Sequence, residues 1–123
     1  MRIILDTHIF LWALAEPHRI PEKKRAEIES QSNTVYVSSI SIAEIMIKAS
    51  LGKLQVAFDP VEEAEKCGFE MLDFSGRDAL RLGGLPFHHR DPFDRMLISQ
   101  SLATRTPIMT EDSKFRLYDC RTI

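Results

Sequence analysis

The chain opens on Arg2-Ile3-Ile4-Leu5, a short apolar run that stops at Asp6 and predicts a buried strand. Thr7 to Ala15 then carries a helical pattern. Pro21, followed by Glu22-Lys23-Lys24-Arg25, suits the first turn of a second helix, where proline's missing N–H sacrifices no hydrogen bond. Thr34 to Val37 is β-branched and aromatic and predicts a second strand. Ser39-Ile40-Ser41 leads into a helix over Ile42 to Leu51, stopped by Gly52. Asp59-Pro60 caps a helix running to about Lys66. Phe69 to Phe74 reads as a third strand, and Ser75 to Leu82 as a helix ending at Gly83-Gly84. Asp91-Pro92 opens a long helix to about Thr104, Thr106 to Met109 forms a fourth strand, and Cys120 to Ile123 adds an edge. Strands separated by helices along the whole length predict an α/β fold. The expected architecture is a three-layer sandwich with a central, mostly parallel sheet flanked by helices. With no repeat, low-complexity tract or linker, residues 1–123 are expected to be one domain, long enough to bury its own core.

Composition narrows the class only a little. Hydrophobic residues at 44% and charged residues at 28% are ordinary for a soluble globular protein. No apolar run approaches the roughly 20 residues a bilayer requires. The longest candidate, Ile3 to Ala15, is interrupted by Asp6, Thr7 and His8. An acid also arrives before any signal-like apolar region, so a cytoplasmic protein is expected. Cys67 and Cys120 form no Cys-x-x-Cys pair, which indicates neither a disulfide framework nor a zinc site. A net charge of −2 argues against an architectural DNA-binding protein. It leaves a nuclease open, because metal-binding carboxylates offset basic residues in the total.

The candidate chemistry lies in the acids. In a parallel α/β sheet, ligands collect at the carboxyl ends of the strands. Asp6 and Asp112 sit just past strands, and Glu44 and Asp94 sit in the first turns of helices. At 100° per residue, Glu44 falls in line with Ile40, Ile47 and Leu51, and Asp94 falls between Leu97 and Ile98. Carboxylates embedded in apolar stripes demand a compensating cation. Each acid also has a structural reading. Asp6 is placed to cap the helix beginning at Thr7. Ser41-Ile-Ala-Glu44 matches a capping box. Asp91 suits the N-cap of the Pro92 helix, with Asp94 favoured by the helix dipole, and Asp112 suits a turn before Ser113. Capping alone does not require the acids to converge on one sheet edge or to face inward, so the joint pattern favours a metal site.

Four carboxylates without strong nitrogen or sulfur ligands specify a hard cation, Mg²⁺ or Mn²⁺. Such an ion would activate water and neutralise a scissile phosphate during in-line displacement. Thr7 and Thr110 are placed to orient carboxylates or water, or equally to serve as turn hydroxyls. Arg90, Arg95, His88 and His89 are candidates for holding substrate phosphates; solvated loop residues, or an Arg95–Asp91 pair, are the alternatives.

Leu5-Asp6-Thr7-His8, Ser41-Ile-Ala-Glu44-Ile45 with Leu51-Gly52-Lys53-Leu54, the run from Leu85 through His88-His89-Arg90-Asp91-Pro92-Phe93-Asp94-Arg95 to Ile98, and Thr110-Glu111-Asp112 resemble the PIN-domain family, more narrowly its VapC-type toxins. The resemblance runs from Met1 to about Tyr118. It implies a Mg²⁺- or Mn²⁺-dependent endoribonuclease, an RNA substrate, a cognate antitoxin partner and a homodimer. The family's acidic positions fall on Asp6, Glu44, Asp94 and Asp112, with Asp91 a less direct contributor and Glu111 an outside one. Ser99 and Ser101 depart from the small apolar residues commoner on that helix, and are expected to alter packing only slightly. Two other classes stay in view. One is a catalytically silent RNA- or antitoxin-binding module. The other is an aspartate phosphoacceptor domain, against which stand the single acid after the first strand and the lack of any Lys-Pro.

Overall fold

Four runs of apolar and β-branched residues become strands: β1 (Arg2–Leu5), β2 (Thr34–Ser38), β3 (Glu70–Leu72) and β4 (Ile108–Met109). In the computed structural model, which describes residues 1–123, all pair in parallel, in the order β3-β2-β1-β4. Between them lie α1 (Thr7–Ala15), α2 (Glu22–Glu29), α3 (Ser39–Ser50), α4 (Pro60–Lys66), α5 (Gly76–Leu80) and α6 (Pro92–Thr104). The α/β sandwich expected from the alternation of elements is therefore the fold observed. None of its helices is long and apolar enough to cross a membrane.

The core explains why β1 carries no alternation of polar and apolar residues. Ile3, Ile4 and Leu5 are all fully buried. Ile3 and Leu5 pack with Ile9, Phe10, Val37 and Ile45 on one face, while Ile4 packs with Leu97, Ile98, Ile108 and Phe115 on the other. A central parallel strand covered on both faces has no solvent side to mark with a charge.

The strand order also places the site. The chain leaves β1 to build β2 and β3 on one side, then returns to lay β4 against the other side. Connections diverge at that reversal and leave a crevice beyond the carboxyl ends of β1 and β4. Leu5 pairs with both Val37 and Met109, so Asp6, Ser38 and Thr110 follow side by side on that edge.

Several boundaries differ from the pattern-based expectation. α3 starts at Ser39 rather than Ile42, because Ser38, the last residue of β2, is its N-cap and accepts from the Ile40 N–H at 3.1 Å. β3 is shorter than Phe69 to Phe74, since side chains replace the ladder: Gln100 Nε2 donates to the Leu72 carbonyl and Phe74 N–H donates to Ser39 Oγ. β4 starts at Ile108 rather than Thr106, because Pro107 has no N–H to offer the ladder. The C-terminal segment does form an edge, through a parallel bridge between Ile108 and Thr122. The last turn of the helix expected to reach Leu82 tightens into a 3-10 turn over Arg81–Gly84. Ser99 and Ser101 donate to the carbonyls of Asp78 and Thr106, so both hydroxyls are satisfied inside the core. The stripe containing Glu44 leaves the core just beyond it: Ile47 is 45% and Leu51 62% exposed.

Candidate active site

Asp6 ends β1 and is 4% exposed. One carboxylate oxygen accepts from the Ile9 N–H at 2.7 Å, capping α1, and the other accepts from Thr110 Oγ1 at 2.6 Å. The capping reading of Asp6 therefore holds for one oxygen, and Thr110 engages the other. Burial holds its carboxyl above the ordinary range, against the lowering effect of the Thr110 and Ile9 bonds, and the charge of Asp112 adds to the rise. Asp112 caps the 3-10 turn Ser113–Leu117 through Lys114 N–H, while its own N–H donates to Thr110 Oγ1. Thr110 therefore ties Asp6 and Asp112 to one another.

Glu44 makes no capping box. Ser38 caps α3, and Ser41 faces Thr7 instead. Thr7 Oγ1 lies 2.9 Å from Ser41 Oγ and 2.7 Å from Glu44 Oε1. The second Glu44 oxygen takes the Lys48 ammonium at 2.5 Å, one helical turn on. Glu44 is buried, and Lys48 is partly exposed. The charges of Asp91 and Asp94 also act on Lys48, which together with the Glu44 bond keeps its pKa above the usual lysine range. Lys48 was absent from the expected site, although a Glu–Lys spacing of four was a legible signal.

Asp94 is half-buried in the first turn of α6, where its N–H donates to the Asp91 cap at 2.9 Å. Burial raises its pKa to about 6, Asp91 and Glu44 add like charge, and His89 opposes the rise. His89 Nε2 stands 3.2 Å from Asp94 Oδ2, and its Nδ1 stands 2.8 Å from the Tyr118 hydroxyl. Two carboxylate groupings thus meet at the sheet edge: Asp6 with Asp112, and Asp94 with Glu44 and Asp91. Thr7, adjacent to Asp6 and bonded to Glu44, joins them.

The basic residues behave differently from expectation. Arg95 does not pair with Asp91 and does not face outward for a phosphate. It is 6% exposed, donates to the carbonyls of Pro86 and Leu85, and lies 3.9 Å from the Phe87 ring centroid. A guanidinium held against the preceding Leu85–Phe87 segment is fixed by packing that sequence spacing does not reveal. His89 is engaged by Tyr118 and Asp94, and His88 packs edge-on against the Tyr118 ring. Arg90 is exposed. Glu111 is paired with Lys24 of α2, which also donates to the Thr110 carbonyl at 2.6 Å.

The donors are all carboxylates, under-compensated by cations, and burial raises the pKa of Asp6 and of Asp94, which fits a hard divalent ion. As the side chains stand, no three of them are gathered closely enough to cage one. Lys48 supplies part of the missing positive charge.

Residues 3–119 match the family model for the PIN domain. The chain belongs to the PIN-domain family. No curated protein matches its sequence. Among solved structures, this PIN domain is similar to a chain of the crystal structure of VapBC2 from Rickettsia felis bound to a DNA fragment from their promoter. That likeness has 20% identity and a TM-score of 0.75, and covers 100% of this chain and 98% of the other. It is also similar to a chain of the DNA-bound VapBC of Salmonella typhimurium, with 18% identity, a TM-score of 0.70, and 100% and 97% covered. A third likeness is to FitAcB from Neisseria gonorrhoeae, with 18% identity, a TM-score of 0.60, and 98% and 96% covered. At such identities these likenesses establish the shared PIN-domain fold.

Proposed function

We propose that this PIN domain is a Mg²⁺- or Mn²⁺-dependent endoribonuclease and the toxin of a toxin–antitoxin pair. The observation that carries the proposal is the meeting of two carboxylate groupings, Asp6–Asp112 and Glu44–Asp94, at the crevice where the strand order reverses. Family membership supplies the reaction class, and the solved relatives, named as VapBC complexes, support a cognate antitoxin.

Asp6, Glu44, Asp94 and Asp112 would hold the cation. When bound, the ion supplies an activated water and neutralises charge on the scissile phosphate. The chain's own residues do the rest. Thr110 and the Ile9 N–H fix both oxygens of Asp6, and Thr7 fixes one of Glu44. Those bonds leave the carboxylates little freedom to turn away from the crevice. Lys48 holds the second oxygen of Glu44, and its partly exposed ammonium would be a partner for a phosphate at the crevice if a cation took that oxygen. Exposed Arg90, next to the Asp91 cap, is a second such partner. The partly buried apolar groove lined by Leu11, Trp12, Leu54, Val56 and Phe58 offers the antitoxin a surface of matching character. A homodimer and a cytoplasmic location complete the reading.

The alternative reading is a domain that binds RNA or antitoxin without turnover. Purified wild type and Asp94→Asn, incubated with a mixed RNA pool and Mg²⁺, Mn²⁺ or chelator, separate the two. The nuclease reading expects cleavage by wild type with metal only. Asp94→Asn should lose at least about 100-fold, more than the ~10–100-fold typical of removing a ligand's hydrogen-bond partner. Binding of RNA with no cleavage by folded, antitoxin-free protein would overturn it in favour of the silent module.

A further inference from the structure

The Tyr118 hydroxyl sits among three nitrogens, and counting its hydrogen bonds decides which nitrogen of His89 carries a proton. Arg95 Nη1 lies 3.2 Å from the phenol oxygen, and the His89 backbone N–H lies 3.2 Å from it. Both groups donate only, and a phenol oxygen accepts at most two such bonds. Its single proton must therefore point elsewhere. Within reach are His89 Nδ1 at 2.8 Å and the His89 carbonyl at 3.4 Å. The shorter contact takes it. In the neutral ring Nδ1 then accepts, so Nε2 bears the hydrogen, and Nε2 is the atom 3.2 Å from Asp94 Oδ2.

The arrangement closes on itself. Asp94 and Arg95 are neighbours on α6, one half-buried at the crevice and the other buried in the interior. Arg95 cannot swing away, because two backbone carbonyls and the Phe87 ring hold it. Tyr118 is likewise buried. The ring Asp94, His89, Tyr118, Arg95 is thus anchored at its far side in rigid structure and delivers one N–H to a carboxylate at the site.

We propose that Arg95, Tyr118 and His89 form a relay that sets the His89 tautomer and thereby holds the Asp94 carboxylate oriented for a divalent cation. His89 and Tyr118 are positioning residues, and the invariant output of the relay is an N–H aimed at Asp94 Oδ2. The tautomer follows from the hydrogen bonds alone, while its purpose rests on the metal-dependent reading above. The relay replaces the expectation that His89 holds a substrate phosphate, because both ring nitrogens are already engaged within the protein.

Two-bond ¹H–¹⁵N correlation spectra of ¹⁵N-histidine protein, without metal, report the tautomer directly. The wild type should show His89 protonated on Nε2, and Tyr118→Phe should shift it toward the other tautomer or a mixture. Calorimetric titration with Mn²⁺ should show about 10-fold weaker binding for both Tyr118→Phe and His89→Ala, within the 10–100-fold range for a ligand's supporting partner. His89→Gln, whose amide reaches the position of Nε2, should recover most of that loss. With metal saturating, KM for RNA should stay near the wild-type value in Tyr118→Phe. A wild-type His89 protonated on Nδ1 would overturn the relay. So would unchanged Mn²⁺ affinity in both Tyr118→Phe and His89→Ala, or a raised KM with unchanged Mn²⁺ affinity in His89→Ala, which would restore the phosphate role. A wild type that binds no Mn²⁺ at all, yet shows the Nε2 tautomer, would instead sink the metal-dependent reading and the relay's purpose with it.

Discussion

Lys48 shows how much a single side chain settles at this site. Its ammonium meets a buried Glu44 oxygen at 2.5 Å, and the charges of Asp91 and Asp94 also act on it. A pair with one buried partner is sensitive to loss of the cation, because the remaining charge stays desolvated. Lys48→Gln should destabilise the metal-free protein by about 1 kcal/mol, a magnitude set by the half-exposed lysine rather than by the buried acid. The same change should tighten Mn²⁺ binding, since the ion no longer competes with a resident ammonium. Thermal unfolding and calorimetric titration of Lys48→Gln, Glu44→Gln and the double variant measure both effects as one cycle. Independent, additive effects on stability would show that the two side chains are not coupled.

The elements that carry the site start where they do because of caps. Ser38 rather than Ser41 opens α3, and this shift of three residues turns Ser41 and Glu44 toward Thr7. Ser38→Ala should therefore cost about 1 kcal/mol through loss of the cap. Ser41→Ala should leave helix initiation intact and act only on the Thr7 contact. Chemical denaturation of the two variants checks this. A Ser41→Ala loss equal to or larger than that of Ser38→Ala would return the cap to Ser41. α6 uses the same device, with Asp91 capping and Pro92 supplying a fixed first turn. That geometry presents Asp94 to the crevice and its neighbour Arg95 to the interior.

For the molecule as a whole, the buried acids tie the stability of the fold to pH. Asp94 has its pKa raised to about 6 and Asp6 is also raised, so the folded metal-free state binds more protons than the unfolded chain between about pH 4 and 6. Their ionisation destabilises the fold, and that penalty grows as pH rises through this window and is complete above it. Melting temperature in chelator should accordingly decline from pH 5 toward pH 7. Asp94→Asn should flatten the decline and be more stable than wild type at pH 7, by about 1 kcal/mol once solvent screening of a half-exposed carboxylate is allowed for. Divalent metal should stabilise wild type at pH 7 and give little to Asp94→Asn. Melting curves across pH, with and without Mn²⁺, test this. A wild type that gains stability steadily from pH 5 to 7 in chelator would contradict the burial of these charges.

The fold and four of the acids were legible from local pattern, because strand and helix periodicity and capping chemistry act over a few residues. β1 was readable to its exact bounds, since Ile3, Ile4 and Leu5 are apolar without interruption and Asp6 ends them. Proximity in space is another matter. Thr110 bonds Asp6 across 104 positions of sequence and Lys24 reaches Thr110 across 86. Tyr118 received no expectation at all, yet it meets both His89 and Arg95. Arg95 and His89 are candidates for substrate in the sequence, which shows a charge but not what surrounds it. By itself the sequence determined the order of elements and offered a set of candidate acids, because both are written in local pattern. Only the tertiary structure decided which oxygen each hydroxyl, ammonium and imidazole holds, because those bonds depend on a strand order that brings distant segments to one sheet edge.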